Sequence, residues 1–120
     1  MIDVSAQEAN SLLKNSDSYL IDVRTNEEWS SGFPYTKKAN DTLLVSWINQ
    51  DIEQKNIFTN EIMQMIPNKK SHLIFICRSG YRSYLAANLM IMCGYINCYN
   101  VIDGVEGQNG WKNSCLPLTN

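Results

Sequence analysis

The amino-acid sequence predicts an α/β domain built on a parallel sheet, and three observations predict it. Short apolar runs that suit buried strands stand at residues 19–23, 72–76 and 99–102. Stretches with helical spacing of apolar residues, several opened by capping signals, lie between them, so strand and helix alternate. A chain of 120 residues that is 44% hydrophobic is long and apolar enough to bury one core, which excludes a disordered tail. The sequence reads as one domain over 1–120, with no internal repeat, linker or low-complexity segment.

Ser5 followed by Glu8 has the pattern of a capping box, and Ala9, Leu12 and Leu13 behind it predict a first helix ending near Asn15. Residues 19–23 form the first expected strand. Thr25 and Glu28 repeat the capping box, and the short helix carrying Trp29 should stop at Gly32 because Pro34 follows. Residues 33–41 read as a loop and 42–45 as a second short strand. From Trp47 to Met65 the apolar spacing suits one broken helix or two, with Thr59 as a cap, and Pro67 closes the region. After a polar turn at 68–71, residues 72–76 are the clearest strand, and a polar loop follows at 77–81. Residues 82–93 are apolar on nearly every side, which predicts a helix deep against the sheet and stopped by Gly94. After a last strand at 99–102, Gly104, Gly107 and Gly110 punctuate a loop before Trp111, and Pro117 is expected to end the ordered chain.

Ten Lys plus Arg against twelve Asp plus Glu leave a net charge of −2, so no global field favours nucleic acid or an acidic membrane; attraction for anions has to be local. No stretch approaches the roughly 18 apolar residues of a membrane span, and the first ten residues lack a signal-peptide pattern, so a cytoplasmic location is expected. Cys77, Cys93, Cys98 and Cys115 include no C-x-x-C pair, and His72 is the sole histidine; free thiols and no structural metal are expected.

The chemistry concentrates in Cys77-Arg78-Ser79-Gly80-Tyr81-Arg82-Ser83, where a buried strand hands over to a helix. At such a junction backbone N–H groups turn inward and the helix adds its positive end, which makes an anion nest. Gly80 permits the curl, and Arg78 and Arg82 add charge beside the Cys77 sulfur, a setting that favours a nucleophilic thiolate. The bland alternative, a core cysteine ending a strand, does not call for two arginines and a glycine in the next five residues. His72 lies five strand residues upstream, roughly 16 Å away, too far to be a general base, and is read as a surface residue. Cys93 lies some 16 Å along the helix and is read, with Cys98, as buried and inert rather than as a resolving thiol; Cys115 stays open. Asp22, Arg24 and Glu28 are read as ion-pair and capping residues, and of the three tryptophans only Trp47 suggests a pocket mouth.

Three segments together resemble the rhodanese-like family of sulfurtransferases in its single-domain form. Leu20-Ile21-Asp22-Val23-Arg24 with Glu28-Trp29 is similar to the family's early signature, Cys77 to Ser83 to its active-site loop, and Asn100-Val101 with Gly104, Glu106-Gly107, Trp111 and Leu116-Pro117 to its closing motif. The resemblance implies a three-layer α/β/α domain with a central, mainly parallel five-stranded sheet. It implies that Cys77 carries a persulfide, taking a sulfane sulfur from a donor such as thiosulfate and passing it to cyanide or a protein thiol, without metal or organic cofactor. Arg78 would bind the anionic donor, Arg82 would brace the loop or the charge, and backbone amides of Arg78, Ser79, Gly80, Tyr81 and Arg82 would hold the outer sulfur. Expected partners are small sulfur-containing anions and, for a relay, an acceptor protein docked against exposed Tyr81 and Phe33. Two alternatives are a non-catalytic binding module and a cysteine phosphatase. The phosphatase loop encloses five residues between Cys and Arg, whereas Cys77 and Arg82 enclose four, a tighter ring that suits one sulfur better than tetrahedral phosphate.

Overall fold

The computed structural model describes residues 1–35, 40–48 and 51–119. In chain order its elements are β1 (Ile2–Val4), α1 (Ala6–Leu12), β2 (Ser18–Asp22), α2 (Asn26–Trp29), β3 (Phe33–Pro34), β4 (Leu43–Leu44), α3 (Ile52–Met65), β5 (His72–Ile76), α4 (Tyr81–Met92), β6 (Asn97–Val101) and β7 (Leu118–Thr119). Five strands form one parallel sheet in the order β1-β6-β5-β2-β4, as the α/β expectation requires.

Strand alternation sends side chains to two cores. Ile21, Val23, Leu73 and Phe75 pack with Phe58 and Ile62 of α3 and with Ala86, Ala87 and Met90 of α4. Leu20, Ile74, Ile76 and Val101 face the other side, against Ala6 and Ala9 of α1 and against Val105 and Trp111. Each fully buried aliphatic side chain here contributes about 1.5–3 kcal/mol relative to exposure. Cys77 continues the alternation of β5 onto the α3/α4 side and ends that layer at the carboxyl edge of the sheet.

Both predicted capping boxes form, at Ser5/Glu8 and at Thr25/Glu28. The first helix ends sooner than expected, at a C-cap on Leu13. The stretch before Met65 is neither two helices nor a broken one. Asp51 caps α3 by accepting from Gln54 N at 2.8 Å, and Thr59 lies inside the helix with its hydroxyl on the Asn56 carbonyl. Trp47 belongs to the segment running on beside β2, where Val45 and Trp47 donate to Asp22 and Val23 carbonyls. Its ring is buried edge-on to Phe58 at 5.2 Å and fills core, and it also lines a small cleft of about 160 Å³ with Leu85, Leu89 and Met92, to which none of residues 77–83 contributes.

Three strands were not expected. β1 is too short for its periodicity to be read and forms through pairing with β6, Asp3 opposite Asn100. β3 and β7 pair antiparallel, Phe33 opposite Thr119 and Pro34 opposite Leu118, so the chain stays ordered past Pro117, whose carbonyl accepts from Tyr35 N and Trp111 Nε1. The rest of the expected loop at 33–41 includes residues 36–39, which lie outside the described residues. The helix expected to be buried nearly all round buries one face of α4, at Ser83, Ala86, Ala87 and Met90; Met92 on the other is 84% exposed. Cys77, Cys93, Cys98 and Cys115 are all free thiols. Among the described residues, no helix is long and apolar enough to cross a membrane.

Candidate active site

Cys77 is buried, 1% exposed, at the first position after β5. Its Sγ accepts from the Gly80 N–H at 3.1 Å and lies 3.1 Å from the Ser83 hydroxyl. Gly80 is the N-cap of α4 at φ +103°, and a Cβ there would stand 2.1 Å from the Ile102 carbonyl oxygen. Only glycine meets both demands, a left-handed backbone and a close approach.

The loop is held open from outside. Val105 N–H takes the Cys77 carbonyl at 2.8 Å, Glu106 N–H takes that of Arg78 at 2.9 Å, and Tyr84 N–H and Asn100 Nδ2 take that of Gly80. Gly104, at φ +59°, lets this closing segment approach, since a Cβ would come within 2.5 Å of the Cys77 and Arg78 backbone. With the Cys77, Arg78 and Gly80 carbonyls engaged, the loop keeps its donors. Among the described residues, the N–H groups of Arg78, Ser79, Tyr81 and Arg82 have no protein acceptor. Such a run of open amides at a helix N-terminus is an anion nest.

Arg82 is committed to Glu28 through two parallel bonds of 2.8 and 2.9 Å, a bracing role rather than a free guanidinium. The Arg82 bonds are the main reason that the Glu28 carboxyl is lowered to about 2, partial burial opposing and Thr25 assisting. The same pairing raises Arg82, against partial burial and with smaller pulls from Glu28, Cys77 and Asp22 charge. Asp22 and Arg24 form a buried ion pair, with Arg24 also donating to the Gly32 carbonyl, so their expected structural role is what the geometry provides. Arg78 has no acidic partner among the described residues. It lines a cleft of about 260 Å³ beside the loop with Arg24, Glu28, Gly32, Glu106 and Lys112.

The structure thus brings Cys77, Arg78, Ser79, Gly80, Tyr81 and Arg82 into one loop and helix turn, with Tyr81 68% exposed at the rim. Two residues of the sulfur's environment carried no role in the sequence reading. Ser83 touches the sulfur, and Asn100 of β6 bonds both Ser83 Oγ, at 2.6 Å, and the Gly80 carbonyl. An asparagine between Tyr99 and Val101, in the strand expected at 99–102, was the available signal. His72 is half-buried rather than a surface residue: it stacks on Tyr99 and bonds its hydroxyl at 2.9 Å, at the opposite end of β5 from Cys77. Cys93 is only half-buried, as the C-cap of α4, and Cys115 is exposed. Cys98 is buried, and burial pushes its thiol up to about 11, as suits an inert core group.

Residues 2–120 match the family model described as STR4 middle domain, which is a rhodanese-like family. The chain belongs to that rhodanese-like family. It is 44% identical over 113 residues to an uncharacterized protein from Rickettsia conorii, covering 88% of this chain and 86% of that one. Rhodanese-like domain-containing protein 17 from Arabidopsis thaliana is 28% identical over 118 residues, 98% of this chain and 72% of its own. The crystal structure of Rv0390 from M. tuberculosis superimposes with a TM-score of 0.83 at 30% identity, covering 99% of this chain and 97% of that chain. The five-stranded parallel sheet and its flanking helices are therefore the rhodanese-like fold, with Cys77 at its carboxyl edge.

Proposed function

We propose that this rhodanese-like domain is a sulfurtransferase whose nucleophile is Cys77. The observation that carries the reading is the sulfur's setting: a buried Sγ that accepts from the Gly80 amide, with the Ser83 hydroxyl 3.1 Å away, at the mouth of a loop whose other amides are uncommitted. The Cys77 thiolate attacks the outer sulfur of thiosulfate; a new S–S bond forms, and the old one breaks with its electron pair leaving on sulfite. The outer sulfur of the resulting persulfide carries the charge, within reach of the open amides and the positive end of α4. An acceptor nucleophile, cyanide or a protein thiolate, then attacks that sulfur, and the electron pair of the broken bond returns to Cys77.

Arg78 supplies the charge that draws in an anionic donor, and the cleft beside it is the route of approach. For a protein acceptor, Tyr81 is an exposed aromatic anchor at the rim of the loop. The test is the intact mass of reduced protein after thiosulfate, and again after cyanide. A gain of one sulfur that cyanide removes, absent in Cys77→Ser, is the expected result. No gain from thiosulfate, 3-mercaptopyruvate or a persulfide donor would overturn sulfur transfer in favour of a binding module.

A further inference from the structure

Asn100 stands between the active-site loop and β1, and its hydrogen bonds fix which way its amide faces. Nδ2 lies 3.2 Å from the Gly80 carbonyl and 3.3 Å from Asp3 Oδ1, both of which only accept. Oδ1 therefore faces the Ser83 hydroxyl, 2.6 Å away, and must accept its proton. Ser83 has one proton and two neighbours, for Cys77 Sγ lies 3.1 Å from the same oxygen. With the proton on Asn100, Ser83 turns a lone pair toward the sulfur, which suits a thiol S–H. A thiolate needs the opposite arrangement, with the hydroxyl turned onto Sγ and the Asn100 bond given up.

We propose that Asn100 is a positioning residue that competes with Cys77 for the Ser83 proton and so sets how strongly the sulfur is stabilised as an anion. The proposal rests on Cys77 as the nucleophile and deepens that reading. While Cys77 carries a persulfide, charge sits on the outer sulfur and Ser83 remains bonded to Asn100. As an acceptor attacks the outer sulfur, the S–S electron pair moves onto Sγ and the Ser83 hydroxyl rotates to meet it. No proton leaves the site: apart from the transferred sulfur no atom changes its covalent partner, and the Ser83 proton only exchanges one hydrogen bond for another. Asn100 thereby restrains thiolate formation at rest, while Ser83 supplies a donor when charge builds on the leaving sulfur.

The charged groups around this network are Arg78 in the loop, Arg82 on α4, Glu28 on α2, the Asp22–Arg24 pair at the end of β2, Asp3 on β1, and Asp103, Glu106 and Lys112 in the closing segment. The Asn100 substitutions keep every one of these charges but also remove the bonds to Asp3 and the Gly80 carbonyl, so a Ser83→Ala background is what separates the hydroxyl's part of any change in titration.

The experiment is the pH profile of Cys77 alkylation by iodoacetamide, in protein whose other three cysteines are replaced by serine or alanine. Asn100→Ala and the volume-keeping Asn100→Leu should each move the midpoint to lower pH by about one unit, the size of one hydrogen bond to a charged acceptor. In a Ser83→Ala background the same substitutions should leave the midpoint where it is. In protein with Asn100 intact, the nitrogen signal of its side-chain amide should titrate with the alkylation midpoint, a readout that needs no Asn100 variant. An unmoved midpoint, an equal shift without Ser83, or an Asn100 signal that ignores the titration overturns the proposal. A protein that shows the Ser83-dependent shift but captures no sulfur from any donor would keep the proton assignment and lose the sulfurtransferase reading.

Discussion

Two neighbouring strands of the same sheet, β2 and β5, end at the same edge and each hands over to a helix, yet one handover is closed and the other open. After β2, Thr25 and Glu28 form a reciprocal capping box on α2, and Asp22 and Arg24 neutralise each other in the buried turn before it. After β5, the N-cap of α4 is Gly80, which offers no side chain, and the Cys77 and Arg78 carbonyls are taken by the closing segment instead. The first helix start satisfies itself. The second keeps its amides free, and the one sulfur in the loop lies among them. The difference teaches that this site is made as much by a cap left out as by a cysteine put in.

The strongest way to break the comparison is to give the open turn a side chain. Gly80→Ala places a Cβ against the Ile102 carbonyl at a φ that L residues rarely adopt. It should cost about 3 kcal/mol of stability in denaturant unfolding and remove persulfide formation in the mass experiment. Full activity with unchanged stability would mean that the loop adopts another path. Next in size is Arg82→Ala, which removes the positive charge near Cys77 and leaves Glu28 unpaired beside the loop. A fall of about a hundredfold in kcat/KM is expected in the thiosulfate–cyanide assay, with the fold retained by circular dichroism. Smaller again is Ser79→Asp, which lends the open helix start an acid of the kind α2 has. The added charge should raise the KM for thiosulfate about tenfold while leaving unfolding unchanged or slightly stabilised. An unaltered KM would show that the donor's charge is not felt at that point.

Much of this contrast was legible in the sequence because its parts are local. Ser5/Glu8 and Thr25/Glu28 each close within four residues, and the loop from Cys77 to Ser83 carries its cysteine, glycine and two arginines in one run. What escaped depends on register. Asn100 reaches Ser83 only because β6 pairs beside β5 with Phe75 opposite Asn100, and nothing within β6 itself announces that pairing. β1 is a strand because β6 offers an edge, and β7 because Phe33 and Pro34 offer one, so neither has enough residues to show a period of its own. Trp47 misled for the opposite reason: it has the spacing of a helical residue and is buried, but by packing on Phe58 from a non-helical segment. Glu28 was read among pairing and capping residues but without its partner, because Arg82 lies 54 residues on, and one Glu28 oxygen accepts from both Thr25 N and Arg82.

That double use of Glu28 joins the closed turn to the open one, and its pH dependence gives the smallest and sharpest of the tests. The carboxyl is lowered to about 2 from a usual 4.5, first by the Arg82 bonds, so the folded state holds it ionised where the unfolded chain would take up a proton. The stability contributed by the pair is therefore fully present above pH 4.5 and is lost as pH falls through that value toward 2. Both side chains are about a quarter exposed, at 28% and 26%, so solvent screening limits the contribution to about 1 kcal/mol. Glu28→Gln should thus lie about 1 kcal/mol below the parent protein in urea unfolding at pH 6 and converge on it near pH 2. A constant gap across that range would assign the loss to the cap that Glu28 makes with Thr25 alone. Convergence would show that the closed helix start lends its charge to hold Arg82, and with it the first turn of α4, beside the sulfur.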